Sequence, residues 1–402
     1  MKLRALLFLA VLSAPVAGQD GTFTLWTREL IHSAKLNEDR SILVSTPNGY
    51  DSGTDRFPVL VILDASDLPQ FRLAIANVEF LASRGLIPQM IVVGIPNGKD
   101  RTHDLTPSAT GSTAREYPSA GGATTFADFL IDEVIPLVRS KYRTLPGTVL
   151  AGHSFGGLVA LEVATKRPGA FTGVIAMSPS LWWNDSSLVA TYYDALAKSA
   201  KPQRLFMTSG GYEDDIDRPT TRLALRLDSL KSAMIAFAHR RYPEDSHGLT
   251  PAPSLADGLR FVFDPIAISK LPISVLNPSV DSAGFVRAVN ESIQQYATSA
   301  RTVGADERLP EAQLNDLSYG IVHVLKKPGL AIWVVRKNAE LYPQSPMVYD
   351  CLGDALLASG DTTAAMAQFR RAITLGTPKG HPVVPESTRK LKELEARKRD
   401  DR

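Results

Sequence analysis

The chain has 402 residues, with 44 Lys+Arg against 42 Asp+Glu and an apolar share of 44%. That near-neutral balance excludes a disordered polyelectrolyte and a strongly basic nucleic-acid-binding protein, and the length allows more than one domain. A single cysteine, Cys351, excludes an internal disulfide framework, a thiolate zinc cluster and a CxxC redox centre.

Lys2 and Arg4 precede an apolar run from Ala5 to Val16, which ends in Val16-Ala17-Gly18. A basic start, an apolar stretch too short to span a bilayer and small residues before the cut predict a Sec signal peptide over 1–18. The protein is therefore expected in the periplasm or outside the cell. No later segment approaches the ~18 uninterrupted apolar residues of a spanning helix, so no membrane span is expected.

From Gly21 to about Pro265 short β-branched runs alternate with longer amphipathic stretches. The predicted strands are Thr22–Leu30, Arg40–Ser45, Val59–Leu63, Met90–Ile95, Thr148–Ala151, Gly173–Met177, Arg204–Thr208 and Ile235–Tyr242. The predicted helices are Leu68–Arg84, Ala123–Arg139, Gly157–Arg167, Ser187–Ser199, Arg218–Ser232 and Ser254–Phe263. Central strands such as Val59–Leu63 are continuously apolar, as strands buried on both faces are, which predicts a mainly parallel sheet covered by helices. The first two alternate more, as an antiparallel edge does. The pattern is that of one α/β domain over 19–265.

After Pro265 the periodicity lapses, and 266–282 reads as a linker. A helical segment over 283–402 follows. Ala331/Ala365, Val335/Phe369, Arg336/Arg370 and Leu341/Leu375 recur at an offset of 34 residues. This resembles a tetratricopeptide (TPR) repeat, with one good copy and one degenerate copy carrying Asn338 where the other has Ala372. Two copies are too few for a free-standing solenoid. The tail is thus expected either to pack on the α/β domain or to mediate self-association.

Gly152-His153-Ser154-Phe155-Gly156 matches GxSxG, with an apolar strand before it and a helix after it. In that setting a tight turn exposes the serine at strained backbone angles above a helix N-terminus. Ser154 is the candidate nucleophile. A serine needs an oriented base, and in the order Ser–acid–His the candidates are His239 and His247. His239 lies inside a predicted strand, whereas His247 lies in the turn-rich loop Tyr242–Gly248 and is preferred. The acid belongs just after the seventh strand, where Glu213, Asp214, Asp215 and Asp217 crowd one loop. Glu213 is closest to the strand end, with Asp217 and Asp214 as alternatives.

Several ordered blocks accompany these residues: 58–64, 91–96 with Arg101 and 104–107, 152–157, 178–183 and 244–248. From about Phe23 to Phe263 the chain resembles the esterase D-like branch of the α/β-hydrolases, the putative esterase family. It looks especially like the bacterial siderophore esterases that open catecholate trilactones. The resemblance implies an α/β-hydrolase fold and a Ser154–Glu213–His247 triad with an acyl-enzyme. It also implies an oxyanion hole from the backbone N–H of Phe155 and of a residue in the loop after the third strand. That loop usually reads Asp-Gly but here is Asp64-Ala65-Ser66, so Ser66 is the expected donor and Ala65 the alternative. Trp182 and Trp183, with Arg101, are expected to contact substrate, one tryptophan lining an acyl pocket and the other lying in the core. No metal or organic cofactor is implied, and the expected partner is a small ester: a siderophore trilactone or, alternatively, a feruloyl or acetyl carbohydrate ester. A reading of a different class is a catalytically idle hydrolase domain whose tail recruits a partner.

Overall fold

The structure, a computed structural model, describes residues 24–51, 53–275 and 281–400; the expected signal peptide lies outside them. Eight strands form one sheet: β1 (Thr27–Ser33), β2 (Glu38–Ser45), β3 (Phe57–Ile62), β4 (Ile91–Gly94), β5 (Thr144–His153), β6 (Gly173–Met177), β7 (Gln203–Gly210) and β8 (Ile235–Tyr242). Their order is β1-β2-β4-β3-β5-β6-β7-β8. β2 runs antiparallel to both of its neighbours, and every pairing from β4 to β8 is parallel. The continuously apolar runs are indeed central: every residue of β3, β4 and β6 is buried.

Boundaries moved where tertiary contacts or end effects override the local pattern. β5 extends beyond Thr148–Ala151 because β3 pairs with it at Thr144 and β6 pairs with it at His153. The helix expected from Arg218 starts at Asp214 instead. Its first turn carries Asp214, Asp215 and Asp217, whose negative charge suits a helix N-terminus, and Pro219 is accommodated one turn in.

Helices Ala123–Phe129, Phe155–Lys166, Leu188–Ala197 and Asp214–Asp228 cover one face of the sheet. The other face receives only Leu68–Ser83 and Pro251–Val262 from the α/β part. Its remaining apolar surface, including Val149, Ile175 and Phe206, belongs to a buried cluster completed by the C-terminal segment. Phe285, Val289, Tyr296, Ala300 and Val303 of the helix Ser282–Val303 lie in that cluster, as do Leu309, Leu314 and Val334. Full burial of each large apolar side chain stabilises by about 1.5–3 kcal/mol, so this seam is a substantial part of the fold. A backbone hydrogen bond from Gly147 N–H to Gly304 O (2.9 Å) and the Arg308–Asp55 ion pair (2.9 Å) fasten its rim.

The expected linker is no free tether. Within it, Ile268–Lys270 and Pro272–Val275 form tight 3-10 turns, and Ile266 and Leu271 are buried. Farther on, helices Pro328–Leu341, Pro346–Ala358 and Thr362–Gly376 pack in series, the first and third starting at the offset found in the sequence. Asn338, at the degenerate position, is fully buried and donates to Glu311 O (2.9 Å) and Asn315 Oδ1 (2.8 Å). Among the described residues no helix is long and apolar enough to cross a membrane.

Candidate active site

Ser154 sits where β5 hands over to Phe155–Lys166, at φ 60° and ψ −117°. This is a left-handed conformation that serine adopts only under constraint. The constraint is the closeness of the turn: a Cβ on Gly152 would lie 2.2 Å from Gly156 O. The N–H of Phe155, first residue of the helix, has no intrahelical acceptor.

The loop after β3 supplies the other side. Ala65 N–H is bonded to Ile95 O (3.0 Å), which removes it as a donor, whereas Ser66 N–H has no acceptor among the described residues. The positive φ of this loop falls on Asp64 (57°), a residue type that tolerates it, and not on Ala65. Asp64 then takes both arms of Arg101, at 2.6 and 2.9 Å. Arg101 also lies over the Phe155 ring at 5.3 Å, so its guanidinium ties the loop after β3 to the start of the helix that follows Ser154.

Glu213 and His247 follow β7 and β8 at the same carboxyl edge. Nδ1 of His247 lies 2.5 Å from Glu213 Oε2. The other carboxylate oxygen, Oε1, accepts from Ser178 Oγ (2.5 Å) and from Gly210 N–H. Burial by itself pushes the Glu213 carboxyl up, but the hydrogen bonds from His247, Ser178 and Gly210 outweigh it and hold it below the ordinary glutamate range. The His247 ring lies 4.3 Å from that of His153, tilted by 36°, which brings the loop after β8 against the turn at Ser154. The Ser154 hydroxyl itself pairs with Ser180 Oγ at 3.3 Å.

The alternative acids point elsewhere. Asp217 accepts from Ser209 Oγ (2.6 Å) and Arg241 Nε (2.8 Å), while Asp214 pairs with Arg218 on the surface (2.8 Å). His239, the alternative base, meets Ser209 at 3.1 Å in that same cluster. Of the two tryptophans, Trp183 is wholly buried and cannot meet a ligand, which corrects its expected place in the substrate-binding set. Trp182 is half-buried and lines a cleft of about 780 Å³ together with Tyr117, Asp215 and Arg222. Tyr117 packs at 5.8 Å from both Trp182 and Phe155, an aromatic wall continuous with the nucleophile turn. Tyr117, Ser178, Ser180 and Thr250 carry no local sequence signature of these contacts; Ser178 and Ser180 lie in a quoted block, but only the fold gives them their partners. A second cavity, of about 540 Å³, lies between Arg84–Gln89 and the helical segment. It opens beside Leu145 near the start of β5, roughly 25 Å of strand away from Ser154.

Residues 33–235, just over half of the chain, match the family described as "Putative esterase". Over 170 residues the chain is 34% identical to the siderophore triacetylfusarinine C esterase of Aspergillus fumigatus, covering 37% of this chain and 55% of that one. Over 218 residues it is 28% identical to the ferri-bacillibactin esterase BesA of Bacillus subtilis, covering 49% and 74% respectively. The match therefore spans little more than half the length of the first of these relatives. Among solved structures, an IroE-like serine hydrolase from Shewanella oneidensis aligns at a TM-score of 0.62 and 27% identity, over 76% of this chain and 98% of that one.

Proposed function

The chain belongs to the putative esterase family, and on that footing we propose that it is an exported serine carboxylesterase that cleaves siderophore esters. The observation that carries the mechanism is the 2.5 Å contact between Glu213 and His247, stacked against the turn that presents Ser154. The siderophore assignment is supported by the relatives named as siderophore esterases.

Catalysis begins when the Ser154 hydroxyl turns from Ser180 to His247. Nε2 takes its proton as Oγ attacks the ester carbonyl, and Glu213 holds the imidazole by Nδ1–H in the tautomer this requires. The carbonyl electrons move to oxygen, where the N–H groups of Phe155 and Ser66 receive them; one such donor is worth about 3–4 kcal/mol of transition-state stabilisation. Collapse breaks the C–O bond, and the leaving alkoxide takes the proton from His247. Water then attacks the acyl-enzyme by the same route, releasing the acid and restoring Ser154. The cleft beside Trp182 and Tyr117 receives the bulk of the ester.

The helical segment, read as a TPR-like domain over 283–402 behind a linker at 266–282, acts as a buttress of the sheet rather than as a lid. Its seam with the α/β part lies away from the carboxyl edge that carries Ser154. Export rests on the N-terminal pattern of 1–18.

A fluorophosphonate probe tests the nucleophile: wild-type protein takes the label and Ser154→Ala does not. Equal labelling of the two sinks the mechanism. A panel of trilactone siderophores, ferric hydroxamate esters and feruloyl sugars tests the substrate. Turnover of feruloyl sugars well above every siderophore refutes the siderophore assignment while leaving the esterase intact.

A further inference from the structure

The block Ser178-Pro179-Ser180-Leu181-Trp182-Trp183 does more than supply an aromatic wall. Ser178 is fully buried and has a left-handed backbone, φ 42°. Glycine adopts that conformation more readily than serine, so the backbone alone does not call for a hydroxyl here. The hydroxyl is nonetheless fully engaged. It donates to Glu213 Oε1 at 2.5 Å and lies 2.8 Å from Thr250 Oγ1. A carboxylate only accepts, so the single Ser178 proton points at Glu213. Thr250 then turns its own proton towards Ser178 or towards the His247 carbonyl, 3.0 Å away.

The same short segment grips the nucleophile turn from its other end. Ser154 N–H donates to Met177 O (3.0 Å), and Ser180 N–H donates to Ser154 O (3.2 Å). Ser180 Oγ is also the hydroxyl that meets Ser154 Oγ. Between the two serines Pro179 locks one backbone dihedral. The segment lies so close to the helix that a Cβ on Gly157 would come within 3.0 Å of both Met177 O and Pro179 Cα.

We propose that Ser178 is a positioning residue for ester hydrolysis. Its hydroxyl holds one oxygen of Glu213 so that the other faces His247, and the Ser178-Pro179-Ser180 clip ties that acid to the turn presenting Ser154. This rests on the Ser154–His247–Glu213 mechanism proposed above.

Ser178→Gly is the informative variant, because it keeps the left-handed backbone while removing the hydroxymethyl group; Ser178→Ala, which deletes only the hydroxyl, controls for added backbone freedom. Both are expected to slow fluorophosphonate labelling and to lower kcat on p-nitrophenyl acetate by about 10- to 100-fold, the range for losing a hydrogen bond to a charged group. KM stays within about twofold, and both variants remain fully folded at the assay temperature, as thermal unfolding checks. In a Glu213→Gln background the same change costs less than about twofold more, because the hydroxyl acts only through the carboxylate. The downfield N–H proton resonance of the His247–Glu213 pair weakens or broadens in Ser178→Gly. Labelling of Ser178→Gly at the wild-type rate overturns the assignment, as does a full multiplicative loss on top of Glu213→Gln. Wild-type protein that takes no label refutes the triad itself, and this assignment falls with it.

Discussion

The imidazole rings of His153 and His247 lie 4.3 Å apart at an angle of 36°. One belongs to the end of β5 and the other to the loop after β8, so two segments distant in sequence meet at a stacked pair directly beside Ser154. Burial, and next the neighbouring His247, push the His153 imidazole down to about 4. Its Nε2 is buried with no hydrogen-bond partner, so protonation would leave an unpaired buried charge.

That depression has a definite sign. The unfolded chain, with an imidazole near 6.5, takes up the proton before the folded one does. Stability is therefore complete above about pH 6.5 and is lost as pH falls towards 4, by about 2 kcal/mol at about pH 5. Urea unfolding of wild type and His153→Gln at about pH 7 and about pH 5 checks this. The variant should lose clearly less stability than wild type over that interval; equal losses would show that His153 is not the titrating group.

Glu213 and Asp217 make a clean pair for mutagenesis. Glu213→Gln keeps the shape but removes the charge that orients His247, and kcat is expected to drop by about two to four orders of magnitude. Asp217→Asn disturbs the Ser209, Arg241 and Thr221 contacts, none of which involves His247 or Ser154, so turnover should stay within about threefold. Steady-state kinetics on p-nitrophenyl acetate decide between them. A crippled Asp217→Asn beside an active Glu213→Gln reverses the choice of acid.

The adjacent tryptophans should separate in the same way, by binding against stability. Trp183→Ala empties a fully buried site and is expected to cost about 3–5 kcal/mol in denaturant unfolding. Trp182→Ala should leave the unfolding midpoint nearly unchanged and raise KM for a bulky ester while sparing that for acetate. A bulky-ester KM unmoved by Trp182→Ala removes this side chain from the substrate site.

Ending the chain after residue 265 strips the cover from one face of the sheet. Val149, Ile175 and Phe206 sit in the cluster that the helix Ser282–Val303 completes. The shortened protein is expected to aggregate, or to melt well below full length if it stays soluble, as measured by light scattering and calorimetry. A monomer with the full-length melting temperature and activity would show that the tail is dispensable.

Much of this molecule was legible along the chain. Strands β6 and β8 begin and end where the sequence places them; β6 is apolar along its whole length because it is buried between β5 and β7, whereas β8 closes the edge of the sheet and carries His239, Arg240 and Arg241. Ser154 was legible too, since a strand, a glycine-flanked serine and a helix in immediate succession impose the strained turn by local geometry alone. His247 followed from order and loop composition. The packing of the segment read as a linker was not legible, because Ile266 and Leu271 are isolated apolar residues, and isolated residues have no period.

By itself the sequence placed the mainly parallel sheet between its helices, the strand–Ser154–helix turn, the order of the triad candidates and the helical character of the tail. Those are properties of contiguous residues, whose periodicity and turn chemistry act over a few positions. Only the tertiary structure set His247 against Glu213 rather than Asp217, buried Trp183 rather than Trp182, and left Ser66 rather than Ala65 with a free N–H among the described residues. It alone brought Ser178 and Thr250 to the acid and seated the helical segment on the exposed half of the sheet. Each of those choices depends on which partner stands opposite, and partners are brought together by strand order and helix packing across tens of residues.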